Sequence, residues 1–356
     1  MHSHFTRARR VRRNAGIVAL LIAGLALGAA CGGSPDAGNG DTDVASGTST
    51  PDTRTPLERL TAIYADPAVD PSAAAWEELL ADPAFETQPV AVVEFVQLRE
   101  DDGAKAAYDA YANAFAQATA DAGGQMVSIN DTLMPGLEGL EPYEGGVSWV
   151  ATYPSMSAYV DAMLDPAVVA VAGKRREGVA EAQVLMGPDL LPEVIKQLGP
   201  NEPASDFPSD RVRGKTPEEV VADLLQIYPS GGADPTAEAL LRMASFEGWT
   251  DQRVHYINLY RFTPGGEQSL SEYNAGALPV VLAHGGRPKV LVNVTHHLVG
   301  PIAWDRFIFV SWPSLAVFTD LRLDPTYVEA QKDRVASAEQ YGNLITIARA
   351  DQRPAP

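Results

Sequence analysis

The chain has 356 residues, 46% of them hydrophobic, with 46 Asp and Glu against 27 Lys and Arg and a formal net charge of −19. That length and apolar content suit two ordinary domains with real cores. Five of the bases are Arg within the first 30 residues, leaving 22 bases against 46 acids elsewhere, a balance that argues against nucleic acid or an anionic lipid surface as a partner.

In chain order, Arg7, Arg9, Arg10, Arg12 and Arg13 precede an apolar run from Ala15 to Ala30 that is short for a bilayer span, the pattern of a signal peptide over residues 1–30. It ends at Gly28-Ala29-Ala30-Cys31, which holds the only cysteine of the chain. Small residues before a lone cysteine resemble the bacterial lipobox, although Gly28 stands where Leu is usual and Leu27 lies one step further out. The resemblance implies that Cys31 is lipidated and that the protein is extracytoplasmic, anchored in the bacterial cell membrane or outer membrane. Residues 31–54 are rich in Gly, Ser, Thr, Asp and Pro and read as a flexible tether. With Cys31 so used, no disulfide is expected and each domain relies on packing.

Thr55-Pro56-Leu57-Glu58 has the form of a helix start: an N-cap Thr, Pro at the first helical position, an acid in the first turn. A second short helix is expected over Ala75 to Leu80. Val90 to Leu98 is a strand apolar on both faces. Ala104 to Ala122 is an amphipathic helix stopped by Gly123-Gly124. Strands at Met126–Leu133 and Gly146–Tyr153, helices at Pro154–Leu164 and Val168–Glu181, and a strand at Gln183–Met186 complete a β-α-β-β-α-β order, the ferredoxin-like unit.

The order then recurs, as does the sequence. Tyr153-Pro-Ser with Leu164-Asp-Pro166 returns 159 positions later as Trp312-Pro-Ser with Leu323-Asp-Pro325. Val90–Leu98 matches Val254–Phe262, Tyr111 matches Tyr273, Asn130 and Thr132 match Asn293 and Thr295, and Thr55-Pro56 matches Thr216-Pro217. Two long copies indicate a duplicated compact fold rather than a solenoid. The expected organisation is a first unit over 55–191, a polar, Pro-rich linker over 192–215, a second unit over 216–350 and a tail over 351–356. In the second unit the expectation is helices at 216–228, 236–244, 268–284, 314–322 and 326–338, with strands at 253–262, 288–296, 304–311 and 343–348. Gly276 and Pro279 predict that the 268–284 helix starts late or kinks.

Val254, Asn258, Leu259 and Phe262, then His284-Gly285-Gly286, Trp304-Asp305-Arg306 and Trp312-Pro313-Ser314, resemble the domain-of-unknown-function 1330 family of the dimeric α+β barrel superfamily. Relatives there include cofactor-free quinone-forming monooxygenases, haem-degrading monooxygenases, EthD-like proteins and chlorite dismutases. The resemblance spans roughly 100 residues per copy and implies an α+β fold in which two ferredoxin-like units pair sheet against sheet. Two copies in one chain imply that the pairing is intramolecular and the protein monomeric. The first copy departs from the pattern, with Glu94 at the Asn position, Ala122 at the His and Gly145 at the Trp.

The sequence has no Cys-x-x-Cys, His-Glu-x-x-His, Gly-x-Ser-x-Gly, Walker or Gly-x-Gly-x-x-Gly motif, so no metal or cofactor is expected. All four histidines beyond the signal region, His255, His284, His296 and His297, lie in the second copy. His284 reads as a helix C-terminal residue. One of the adjacent pair, His296 or His297, is expected near Trp304 across a hairpin. On the 254–262 strand, Tyr256, Asn258, Tyr260 and Phe262 share one face. Tyr256, Asn258, Tyr260, His296 and Trp304 are therefore the candidate ligand-binding residues. Glu94 is the first-copy equivalent, either a raised-pKa base or a partner of Arg99 or Lys105. The function expected is binding of a small, partly apolar molecule. A cofactor-free monooxygenase or isomerase, and a structural envelope protein, are the alternatives.

Overall fold

In the computed structural model the described residues are 53–135, 140–196, 211–228 and 235–349, and Thr53–Pro356 cluster as one compact unit. The expected signal peptide, lipidated Cys31, most of the tether, the tail and the middle of the linker lie outside the described residues.

Each copy opens on the capping box its sequence announces. The Thr55 side chain accepts from the Glu58 amide at 3.2 Å, and the Thr55 amide donates to the Glu58 carboxylate at 2.7 Å, starting α1 (Pro56–Ile63). Thr216 and Glu219 repeat this at the head of α7 (Pro217–Ile227). The first unit continues through α2 (Ala73–Leu80), β1 (Val90–Leu98), α3 (Ala104–Asp121), β2 (Gln125–Pro135), β3 (Val147–Tyr153), α4 (Met156–Met163), α5 (Pro166–Gly178) and β4 (Val179–Pro188). After the short α6 (Glu193–Lys196), the second unit runs through α7, α8 (Ala237–Ala244), β5 (Val254–Phe262), α9 (Gly266–Ala283), β6 (Arg287–Asn293), β7 (His296–Val299), β8 (Arg306–Trp312), α10 (Leu315–Arg322), α11 (Pro325–Ser337) and β9 (Ala338–Ala348).

Several boundaries differ from the sequence reading. The α9 helix starts early and runs unbroken through Pro279. Proline removes the hydrogen bond to the carbonyl four residues back, but both Ala275 and Pro279 lie on the exposed face of the helix. At Gly276 the helices pack closely, since a Cβ would lie 3.3 Å from the Cβ of Ala330 on α11. The last strand of each unit is about twice the expected length because α5 and α11 pass straight into β4 and β9 without a turn residue. Helices α3 and α9 both stop at glycines in the left-handed region, Gly123 and Gly285, each with φ 76°.

Among the described residues, nine strands form one antiparallel sheet in the order β6-β8-β5-β9-β2-β3-β1-β4-β7. Two ladders join the units: β2 with β9, from Asn130↔Ala348 to Pro135↔Leu344, and β4 with β7, from Val184↔Val299 to Met186↔His296. Strands β6 and β7 are consecutive yet occupy opposite ends of that order, so the sheet closes on itself. They match the single strand β2. At Val294 and Thr295 the chain leaves β8 and passes to the first unit, where the Thr295 amide donates to the Met186 carbonyl at 2.9 Å. The result is an α+β barrel made from two fused ferredoxin-like units.

Strand alternation then divides the core. Ala91, Val93, Phe95, Leu185, Ile257, Leu259, Phe307, Phe309 and Leu344 point inward and fill the barrel. Val92, Val96, Trp149 and Met186 face the helices of the first unit. Tyr256, Tyr260, Ile308, Val310, Tyr341 and Ile345 face those of the second. Each unit therefore has its own sheet-to-helix layer outside the shared barrel core.

Candidate functional site

The two sheet-to-helix layers are built on matched positions and filled differently. In the first unit the middle of the layer holds Phe115 from α3, Trp149 from β3, Tyr159 from α4 and Trp76 from α2. Phe115 lies 4.9 Å from the Trp149 ring, and Tyr159 is 6.4 Å from both Phe115 and Trp76, centroid to centroid. Within it sits a buried ionic cluster. The Arg175 guanidinium from α5 donates to Glu94 at 3.1 Å and to Asp70 at 2.6 Å, and also to the Val69 carbonyl. The Tyr108 hydroxyl donates to the other Glu94 oxygen at 2.8 Å. Arg175 and the carboxylates of Glu94 and Asp70 are all essentially inaccessible to water.

Glu94 is thus the partner of Arg175, not of Arg99 or Lys105. Arg99 reaches the Arg176 carbonyl and Lys105 pairs with Asp109. Both lie near the exposed ends of β1 and α3, out of reach of a side chain at the middle of the strand. The base role considered for Glu94 is replaced by an ion pair.

In the second unit the same layer holds a cavity of about 140 Å³ that is partly open to solvent. The cause is legible in matched residues. Ala277 stands for Phe115, Ile308 for Trp149, Leu240 for Trp76 and Asn258 for Glu94, and all four line the cavity. Aromatic mass moves to the walls instead: Tyr256, Tyr260, Tyr327 and Tyr341 take the places of Val92, Val96, Val168 and Ala182. Tyr256 packs on Phe318 at 4.2 Å, and Tyr260 meets Tyr341 edge-on at 5.3 Å. The Tyr273 and Tyr327 hydroxyls share a hydrogen bond of 2.9 Å, and Gln331 reaches Tyr273 at 3.5 Å. Asn343 donates to the Asn258 side-chain carbonyl at 2.7 Å, and the Asn258 amide is 3.5 Å from the Ile308 carbonyl. Half-buried Pro235, Ala239, Asn274 and Leu278, on α8, the residues leading into it and α9, mark the side nearest solvent.

Two arginines line this cavity. Arg334, the counterpart of Arg175, donates to Gln331 and lies 4.9 Å above the Tyr341 ring. Arg322 stands where the first unit has Met163 and lies 4.2 Å above the Tyr228 ring. Among the described residues that line it there is no Asp, Glu, His, Lys or Cys. Burial raises the pKa of Tyr256, Tyr260 and Tyr273, so these phenols stay protonated and act as neutral donors.

Tyr256, Asn258 and Tyr260 therefore come together, as their shared strand face implies. His296 and Trp304 do not join them. Because β7 crosses to the first unit, the His296 imidazole sits 3.4 Å from Asp82. Trp304 turns its indole into the barrel core. It is His297 that reaches Trp304, 2.7 Å from its carbonyl. His255 also faces the barrel, stacked on Phe309 at 5.1 Å; burial, then Arg253 and Lys289, push its pKa down to about 3, so it is neutral. His284 caps α9 and contacts Asp320 at 3.3 Å. Sequence reading missed Ala277, Ile308, Arg334 and Tyr341. The signal for two of them was present in the aligned copies, where Phe115 and Trp149 face the smaller Ala277 and Ile308; Tyr341 reverses the exchange by facing Ala182, and Arg334 faces an arginine, Arg175.

No family model and no curated protein match the chain. Among solved structures it is similar to a protein of unknown function from Rhodopseudomonas palustris, at 27% identity over 33% of this chain and 95% of that one, with a TM-score of 0.30. It is also similar to a candidate monooxygenase from Fusobacterium nucleatum, at 8% identity over 74% and 93% with a TM-score of 0.42. Chlorite dismutase from Candidatus Nitrospira defluvii matches at 13% identity over 78% and 96%, with a TM-score of 0.37.

Proposed function

We propose that the protein is a lipid-anchored, extracytoplasmic binding protein whose second unit holds one small, partly apolar molecule between sheet and helices. The observation that carries this reading is the cavity itself, opened by Ala277 and Ile308 where the first unit has Phe115 and Trp149. An apolar cavity of about 150 Å³ accommodates a benzene-sized molecule. The tyrosines supply flat contact surfaces, and Asn258 and Asn343 supply directional polar groups. The described lining residues include no Asp, Glu or His to act as a general base, which favours binding over the cofactor-free monooxygenase or isomerase alternative.

Calorimetric titration with benzene-sized probes tests the site. The wild type should bind, and Ala277→Phe should abolish binding while leaving the folded state intact. Binding that survives a filled cavity would place the site elsewhere. The anchor rests on the lipobox resemblance at Cys31, and Cys31→Ser should move the protein from the membrane to the soluble fraction. Unchanged partitioning would remove the anchor from the account.

A further inference from the structure

The hydroxyls around the second-unit cavity have more hydrogens to donate than neighbours to accept them. Tyr260 and Tyr327 stand where the first unit has Val96 and Val168, so each adds a hydroxyl at a position that lacked one. Tyr260 lines the cavity and is only 4% exposed. Its contacts are ring contacts with Phe262 and Tyr341, and among the described residues its hydroxyl has no hydrogen-bond partner. A second spare donor follows from a count. In the first unit the Tyr111 hydroxyl donates to the Met163 sulfur at 3.8 Å. Its counterpart Tyr273 meets Arg322 in place of that methionine, a side chain with no acceptor. Tyr273 bonds the Tyr327 hydroxyl instead, at 2.9 Å, and its oxygen also accepts from the Gln331 amide at 3.5 Å. Two phenols bring two O–H hydrogens to one shared bond, so one hydrogen is left over whichever of them donates. The Asn258 side-chain oxygen is already engaged by Asn343. Burial, then the closeness of Tyr327 and Tyr260, raise the Tyr273 pKa, so the three phenols gather around one region of the cavity.

Resting on the binding reading above, we infer that the ligand is an uncharged, ring-sized carbonyl compound whose oxygen accepts hydrogen bonds from the Tyr260 hydroxyl and from the Tyr273–Tyr327 pair. A molecule that enters the cavity displaces water from these hydroxyls, and one without an acceptor leaves the donors unpaired. A carbonyl oxygen has two lone pairs and no hydrogen, so it takes two donors and brings no donor of its own. The donors are neutral phenols, which suit a neutral oxygen. The arginines of the lining are engaged elsewhere, Arg334 with Gln331 and the Tyr341 ring and Arg322 over the Tyr228 ring. The apolar half of the cavity, Ala277, Ile308, Val310 and Ile345, takes the ring. A site that hydrogen-bonds a ligand oxygen rejects the analogue lacking it more strongly than an apolar pocket rejects a missing methylene.

The test uses an isosteric pair, acetophenone and α-methylstyrene, which differ only in an oxygen against a methylene. Both are titrated by calorimetry into the wild type, Tyr260→Phe and the double variant Tyr273→Phe with Tyr327→Phe, with thermal unfolding of each variant as the folding control. The double variant is needed because removing one hydroxyl of the pair frees the hydrogen of the other. The expected result is a preference of the wild type for acetophenone of about 10-fold, reduced several-fold in Tyr260→Phe and in the double variant, with α-methylstyrene affinity no weaker. Equal affinity for the two probes, or an acetophenone preference that both variants keep, overturns the carbonyl assignment and leaves the binding reading standing. Benzoate binding more tightly than acetophenone overturns the uncharged assignment. If neither acetophenone nor α-methylstyrene binds, the binding reading fails and this inference fails with it.

Discussion

The two sheet-to-helix layers of this barrel start from the same order of elements and reach opposite solutions. The first is closed: aromatic rings occupy its centre and an Arg–Glu–Asp cluster is sealed among them. The second has the same helices over the same strands, yet its rings stand at the periphery around a cavity. Between them the scaffold changes little: α3 and α9 both have 18 residues, and the matched strands β3 and β8 both have 7. A handful of side-chain exchanges at fixed backbone positions is enough to convert a packed layer into one that holds a cavity. Duplication permits this because the closed layer and the shared barrel core continue to hold the fold.

The comparison can be broken most sharply at the two matched arginines. Arg175→Met should destabilise the protein by about 3–5 kcal/mol, because it strands the buried carboxylates of Glu94 and Asp70. Arg334→Met, at the half-buried equivalent, should cost about 1 kcal/mol. Urea unfolding midpoints measure both, and equal losses would show that the second layer depends on its arginine as structure. Next in size is the exchange at the centre. Phe115→Ala should cost about 3–5 kcal/mol by opening a cavity in the first layer. Ala277→Phe should change stability by no more than about 1 kcal/mol, because the ring enters existing space. A large loss from Ala277→Phe would mean that the space is not there.

The smallest expected effect is a pH dependence confined to the second unit. Burial disfavours the charged His284 imidazole, but the hydrogen bond to Asp320, the Val280 carbonyl and the charges of Asp320 and Asp324 outweigh it and raise its pKa. Its first-unit counterpart is Ala122. A raised folded-state pKa contributes stability that is fully present below about pH 6.5 and fades as pH rises through the folded value. Burial works against the Asp320 charge as well, yet His284 and Arg211 hold its pKa below the usual range, so its contribution fades as pH falls below about 4. His284→Gln should therefore cost up to about 1 kcal/mol at pH 5.5 and less at pH 8.5, measured by urea unfolding at both values. A cost that grows with pH would reverse the sign.

The duplication and the β-α-β-β-α-β order were legible because helix-start signals, helix-stopping glycines and strand alternation are local signals that survive divergence, whereas the barrel was expected only from the family resemblance. The strand face carrying Tyr256, Asn258 and Tyr260 was legible for the same reason. The placing of His296 was not, because it depends on β7 leaving its own unit, a choice made by pairing across units that periodicity does not record. Trp304 was misplaced for a related reason: it lies outside a strand, so alternation does not fix which side of the sheet its indole takes. Glu94 found Arg175, 81 residues away, and only the folded layer brings those two together.

The central claim, an open second layer beside a closed first one, is tested most directly by diffraction from crystals pressurised with xenon, which enters apolar cavities of this size. The account predicts one strong xenon peak among Ala277, Ile308 and Tyr260 and none among Phe115, Trp149 and Val96. Equal peaks in both layers, or a peak in the first alone, would contradict it.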